Sequence, residues 1–220
     1  MTDEGSGTAL PAGKRARRKE ARPAELLAAA LVLFTEKGFA ATRLDEVAAR
    51  AGVSKGTLYL YFDSKEALFN AVVRGIVLPS VDKAEAMLAS HAGSAAQQLK
   101  DILIYWWHCN SDLRLGALHK LIIAEAGNFP EVASYFSENI VLRGRQMIRR
   151  VLEGGIARGE FRPVAVEAAI EVIMAPMLML VVWNNAPLRA CGSHCPPEQY
   201  ISIHLDMLLN GLLQTGTTLS

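Results

Sequence analysis

Between residues 54 and 65 the chain sets out Ser54, Lys55, Gly56, Thr57, Tyr59, Tyr61 and Lys65 at spacings that suit contact with a polyanion. On a helix beginning at Lys55, Leu58 turns inward, while Lys55, Gly56, Thr57, Tyr59 and Tyr61 fall largely on the outward arc. That arc carries hydrogen-bonding groups and no acid. Lysine suits phosphate or a guanine edge, the threonine methyl and hydroxyl suit a thymine methyl or a base edge, and tyrosine hydroxyls donate to phosphate oxygens. Gly56 lets the backbone approach closely, and the positive end of the helix dipole favours anions at this terminus.

Such chemistry needs a frame. Thr42 followed by Asp45 reads as a capping box that starts a short helix, with Leu44, Val47 and Ala48 on its inner face. Gly52 supplies a left-handed residue to end that helix, Val53 plugs the turn, and Ser54 caps the next helix at Lys55. Two short helices joined by a glycine-containing turn make the helix-turn-helix layout. Asp63 or Ser64 caps a further helix opened by Lys65. Upstream, a helix begins around Pro23 and closes at Gly38, with Leu27, Ala30, Leu31 and Phe34 as its core stripe.

The segment with Val47, Ala48, Ala51, Gly52, Val53, Ser54, Gly56, Leu58, Tyr59, Tyr61, Phe62, Lys65, Glu66 and Leu68 resembles the N-terminal DNA-binding domain of the TetR family, the tetracycline-repressor-like bacterial transcriptional regulators. The likeness reaches upstream to Phe34, Gly38, Phe39 and Thr42 and covers about residues 23 to 72. Beyond it, the chain resembles the family in length and all-helical character. The resemblance implies DNA contacts at Thr42, Arg43, Ser54, Lys55, Gly56, Thr57, Tyr59, Tyr61 and Lys65, with double-stranded operator DNA as a partner and a homodimer as the working form.

Charge is distributed to match. Residues 11–75 hold twelve Lys and Arg against seven Asp and Glu, whereas residues 76–220 hold eleven against thirteen. Lys14, Arg15, Arg17, Arg18, Lys19 and Arg22 crowd into residues 1–22, which read as a disordered basic arm that can lie along phosphates. The N-terminus lacks the apolar core of a secretory signal, so a cytoplasmic location is expected. The longest apolar run, Val172 to Trp183, is short for a membrane span and reads as a buried helix.

The organisation that follows is all-α. An arm (1–22) precedes a helix-turn-helix domain (23–72) of three helices, and a larger helical ligand-binding and dimerisation domain (73–220) completes the chain. Its helices are expected from Lys65 past Pro79 towards Leu88, then near Ser94–Asn110, Asp112–Ala126, Pro130–Ile156, Val164–Trp183 and Pro197–Gln214. The last two offer broad apolar faces, including Ile170, Met174, Met177, Leu178, Leu205 and Leu209, suited to a four-helix bundle across a two-fold axis.

Trp106, Trp107, His108, Phe129, Phe136, Met174 and Met177 form an aromatic and methionine-rich set suited to a small apolar or aromatic effector. Adjacent tryptophans on a helix diverge by about 100°, so one of the pair faces a given cavity. His108, His119 and Glu125 are polar groups placed near it. Cys191, His194 and Cys195 share a short loop, but their spacing matches no standard zinc pattern, and no metal or cofactor is expected. No nucleophile elbow, phosphate loop or metal-binding helix motif argues for an enzyme. The expectation is a DNA-binding regulator, a homodimeric repressor released by its effector. The alternatives are a regulator controlled by a protein partner or by its abundance and, more remotely, a helical enzyme.

Overall fold

The computed structural model describes residues 12–111, 113–184 and 195–213; side chains are described from residue 23, and those of residues 113 and 114 are not. Within them the chain is helical, apart from an isolated antiparallel bridge between Phe161 and Leu213.

The N-terminal head is built from α1 (Ala12–Lys37), α2 (Leu44–Arg50), α3 (Lys55–Tyr59) and α4 (Lys65–Val72). α1 starts earlier than the expected boundary at Pro23, because Ala, Lys, Arg and Glu dominate residues 12–22 and all favour helix. Pro23 therefore lies inside α1, where its missing N–H costs one backbone hydrogen bond. Residues 1–11 of the expected arm lie outside the described residues. α1 ends at Gly38 (φ +87°), and Gly52 (φ +68°) makes the turn between α2 and α3. Phe34, Phe39 and Phe69 meet in the head's centre at centroid distances of 5.4, 5.8 and 5.8 Å, all fully buried. Burial of each such ring supplies roughly 1.5–3 kcal/mol towards fixing the angles between α1, α2 and α4.

α4 runs through a π-helical turn (Val73–Val77) into α5 (Leu78–Ala89). Pro79 explains the widening: its ring clashes with the carbonyl four residues earlier, at Gly75, and the π turn moves that carbonyl aside. α6 (Ala95–Asn110) is capped by Ser94, whose hydroxyl accepts from the Gln97 amide. α7 (Leu113–Glu125) and α8 (Pro130–Phe136) follow. The helix expected over Pro130–Ile156 is divided by a second π turn (Ser137–Val141) before α9 (Leu142–Ala157). There the Asn139 amide group donates to the Tyr135 carbonyl at 2.8 Å and competes with the regular ladder.

α10 (Val166–Asn184) and α11 (Pro197–Leu212) complete the body, and α10 packs on α6, α7, α9 and α11. α10 is long and apolar enough to cross a membrane by length and composition. It is not wholly buried, as the sequence suggested. Ile170, Ile173, Met177, Leu180 and Val181 face the core, whereas Val172 and Met179 are exposed. Around Pro176 it is tied to α11, since Tyr200 donates to the Pro176 carbonyl at 3.4 Å and His204 pairs with the Ile173 carbonyl at 3.1 Å.

Two apolar clusters result. One holds the body together around α6, α9, α10 and α11. The other is the head core, and it does not stop at residue 72: Leu118 and Leu121 of α7 and Val132 and Phe136 of α8 belong to it.

Candidate nucleic-acid interface and ligand cavity

The helix-turn-helix is locally encoded. Ser54 caps α3 by accepting from the Thr57 amide at 3.1 Å, and its hydroxyl also meets the Thr57 hydroxyl at 2.8 Å. Leu58 is fully buried and anchors the helix. Ser54, Lys55, Gly56 and Tyr59 are exposed and Thr57 is half-buried, which makes the outward arc, whereas Tyr61 lies beyond the end of α3 and packs partly against the head core. A Cβ at Gly56 would meet nothing closer than the Ser54 hydroxyl at 3.9 Å, which leaves the surface flat there. Leu60, 83% exposed, stands beside this arc and offers an apolar contact that residue-by-residue matching missed.

An acid nevertheless borders the face. Asp45 of α2 lies 3.2 Å from Arg43 and 3.7 Å from Lys55. Its own backbone N–H, the Arg43 guanidinium and the Lys55 charge hold its carboxyl below the usual range. A phosphate must compete with this carboxylate for both cations.

Two expected contacts are placed otherwise. Thr42 is buried, and its hydroxyl donates backward to the Gly38 carbonyl at 2.7 Å and the Leu33 carbonyl at 3.2 Å. It caps nothing in α2, whose first turn is preceded by Arg43 without a side-chain cap. The hydroxyl is turned to the end of α1, and with Arg43 at the N-cap position and no side-chain cap the capping box does not form. Lys65 donates to the Ala40 carbonyl at 3.0 Å, and its ammonium sits 4.7 Å from the Phe39 ring centroid and 5.9 Å from that of Phe129. It bolts α4 to the turn after α1 and to the start of α8. From the body, Glu125 accepts from the Ala40 amide at 3.3 Å, closing the same joint.

The expected aromatic set is divided between four places. Trp106, Phe136 and Met174 line a cavity of about 70 Å³ enclosed by α5, the two π turns and α6 to α10. Trp107 and His108, on the opposite side of α6, border an open groove against α11. Phe129 is a head residue, stacked edge-on against Phe39 at 4.7 Å, and Met177 is fully buried in the body core. The divergence of neighbouring helical residues explains the first separation, and the reach of the head core into α8 explains the second. Residues missed by the sequence reading, Val77, Ser80 and Val81 of the α4–α5 helix, supply part of the cavity wall.

His119 stands in this cavity wall, edge-to-face with Trp106 at 5.7 Å and Phe136 at 5.6 Å. Burial pushes its pKa down to about 4, with the Leu115 carbonyl one turn earlier pulling weakly the other way, so the imidazole is neutral near physiological pH. Leu118 and Phe136 line the cavity and also belong to the head core. Any change in cavity volume therefore presses on side chains that hold the reading helices.

No cluster of three or more His, Cys, Asp or Glu able to hold a metal occurs among the described residues. Cys191 and His194 lie outside them. His204, pairing with the Ile173 carbonyl, is occupied.

Comparison with known proteins matches residues 26–72 to the model of bacterial regulatory proteins, tetR family, and residues 89–190 to the tetracyclin repressor-like C-terminal domain. The chain is 30% identical over 195 residues to the HTH-type transcriptional repressor KstR2 of Rhodococcus jostii strain RHA1, covering 86% of this chain and 92% of that one. Among solved structures, a TetR-family transcriptional regulator from Mesorhizobium loti superposes with a TM-score of 0.67 at 25% identity, covering 88% of this chain and 95% of that one. The regulator FadR of Bacillus subtilis, solved with stearoyl-CoA, has the same fold, with a TM-score of 0.69 at 18% identity and coverage of 86% and 98%.

Proposed function

Because this chain belongs to the TetR family of bacterial transcriptional regulators, we propose that it is a cytoplasmic homodimeric repressor, released from a palindromic operator when a small apolar or aromatic effector enters the cavity behind His119. Residues 23–72 are the reading domain in this proposal, and residues 73–220 bind effector and dimerise. The observation that carries it is the sharing of Leu118 and Phe136 between the cavity wall and the head core. A ligand that enlarges this cavity moves groups on which the head rests.

The cavity size supports this coupling. At about 70 Å³ it is far smaller than the roughly 300–1,000 Å³ of a typical ligand site, so an effector must push side chains aside. Trp106, Met147 and Met174 are lining residues that can yield, and methionine does so at low cost. The wall towards the head consists of Val77, Leu118 and Phe136, and its displacement shifts α4 and with it α3. Such coupling typically amounts to about 1–3 kcal/mol, which changes operator affinity roughly 5–150-fold. That the same fold holds stearoyl-CoA in the Bacillus subtilis regulator supports an apolar occupant of the body.

The dimer surface proposed is narrower than the sequence suggested. Most of the apolar residues named there are spent on the chain's own core, leaving Val172 and Met179 of α10 and Ile203 and Met207 of α11 as outward apolar groups. Two copies pairing through these strips would form a four-helix bundle and hold two α3 helices at a fixed separation.

The test is selection of bound duplexes from a random pool by the full chain, followed by titration on the enriched sequence. The expected result is a palindrome with half-sites about one helical turn or slightly more apart. Recovery of a single unpaired half-site would overturn the dimeric reading, and recovery of no motif would overturn the assignment of α3.

A further inference from the structure

The cavity carries a chemistry more selective than apolarity. Among the described residues no Lys, Arg, Asp or Glu lines it. Of its polar side chains, Ser80 already donates to the Val77 carbonyl at 2.7 Å, Asn110 donates to the Trp106 carbonyl at 2.8 Å, and Tyr105 is raised to about 12 by burial and by its pairing with Cys109. His119 differs. Its ring is clamped between Trp106 and Phe136, the Leu115 carbonyl pulls on it only weakly, and its Nδ1 is buried without a hydrogen-bond partner of ordinary geometry. A neutral imidazole presents one N–H and one lone pair, and an unmet polar atom in an apolar site is a standing cost that a ligand group can remove.

We propose that the effector is an uncharged molecule with an apolar body and one hydrogen-bonding group, such as a phenol, alcohol or amide, and that His119 receives this group and sets specificity. The inference rests on the reading of this cavity as the effector site. Carboxylates are disfavoured, because an ion entering here leaves water without meeting a counter-charge among the described residues. Purely apolar molecules fit but leave the imidazole unmet. The aromatic clamp fixes the ring plane, so the hydrogen-bonding direction is set before the ligand arrives.

Three matched probes separate these cases: 4-propylphenol, propylbenzene and 4-propylbenzoate, titrated calorimetrically into the full-length protein near neutral pH. In the wild type the phenol should bind about tenfold more tightly than propylbenzene, with the benzoate weaker than the phenol by at least about the same factor. His119→Phe keeps an aromatic ring between Trp106 and Phe136 and should bring the phenol down to the level of propylbenzene. His119→Leu gives the same comparison should the phenylalanine ring disturb folding. A preference for phenol that persists in these variants, or benzoate binding as tightly as phenol to the wild type, overturns the inference.

Gly144→Leu tests the site itself. Gly144 lines the cavity, and a Cβ there meets no atom within 4 Å, so a leucine side chain can take up the open space without a clash at its root. Loss of all three probes in this variant supports the cavity as the site. Undiminished binding places the probes elsewhere and overturns both the cavity reading and the inference built on it. Absence of phenol binding to the wild type at millimolar concentration has the same consequence.

Discussion

Replacement of Thr42 by valine separates two roles that one residue can play at the edge of a reading head. Thr42 is 2% exposed, and its hydroxyl proton lies between the Gly38 and Leu33 carbonyls at 2.7 and 3.2 Å. Valine keeps the branched shape and removes the donor. The lost hydrogen bond is worth about 0.5–1.5 kcal/mol net, and a carbonyl left unsatisfied in a buried setting raises the cost to about 1–3 kcal/mol. A central value of roughly 2 kcal/mol lowers Tm by about 4–8 °C in a chain of this size. Thr42→Ser keeps the donor and loses a buried methyl, about 0.8 kcal/mol, so its Tm should fall less. Circular dichroism melts of the three proteins check the order wild type, serine, valine. Operator affinity, measured well below the transition, should be little altered in the valine variant. A valine variant with wild-type Tm and weakened DNA binding would refute the reasoning and return Thr42 to the DNA surface.

Lys65→Met should lower Tm by roughly 2–4 °C, for about 1 kcal/mol of lost carbonyl and aromatic contact, and leave the salt dependence of DNA affinity unchanged; a slope reduced by about one at constant Tm would identify it as a phosphate contact instead. Gly155→Ala should destabilise by about 1–3 kcal/mol, because its Cβ would press on the Phe161 ring and come within 2.8 Å of the Ala95 Cβ, which chemical denaturation reads directly. Acidification supplies a further test. His119 has a folded pKa of about 4 against an ordinary 6.5, so the stability it contributes is present above 6.5 and is lost as pH falls towards 4, on the order of 3 kcal/mol in all. His119→Phe should flatten that limb. The limb at still lower pH should remain, since Glu85, held down by Arg143, and Glu167, held down by Arg149 and Arg145, lose their stabilising charge only as pH falls through values below 4.5.

The reading face was legible because everything that makes it is local. Gly52 needs a left-handed conformation, Ser54 needs an amide three residues on, and Leu58 needs a core one turn along, all within the span of the motif. Thr42 was misread for a reason of geometry. A threonine hydroxyl can accept from the next helix or donate to the preceding one, and only the place where α1 ends decides between them. Phe129 and Phe136 stand seven residues apart and both carry aromatic rings, but only the packing of α8 on α4 places Phe129 in the head alone and Phe136 where the head core meets the cavity wall. Trp106 and Trp107 were expected to diverge, and they do, but neither side of α6 announces in sequence which neighbour it meets. His119 stood out as a polar residue near the site; its unmet Nδ1 is a tertiary property, created by two rings from other helices.

The π turn at Val73–Val77 has an evolutionary consequence. A single such turn is equivalent to one extra residue in an otherwise regular helix, and each residue advances the angular phase by about 100°. Leu68, Phe69, Val72 and Val77 pack into the head core, whereas Val81 and Ala84 pack into the body core, and the turn between them sets the phase of one against the other. Loss of one codon here would straighten the shaft and swing one of the two faces out of register. A deletion in this turn is therefore felt in both cores at once, over and above the tight packing of Val73 and Gly75.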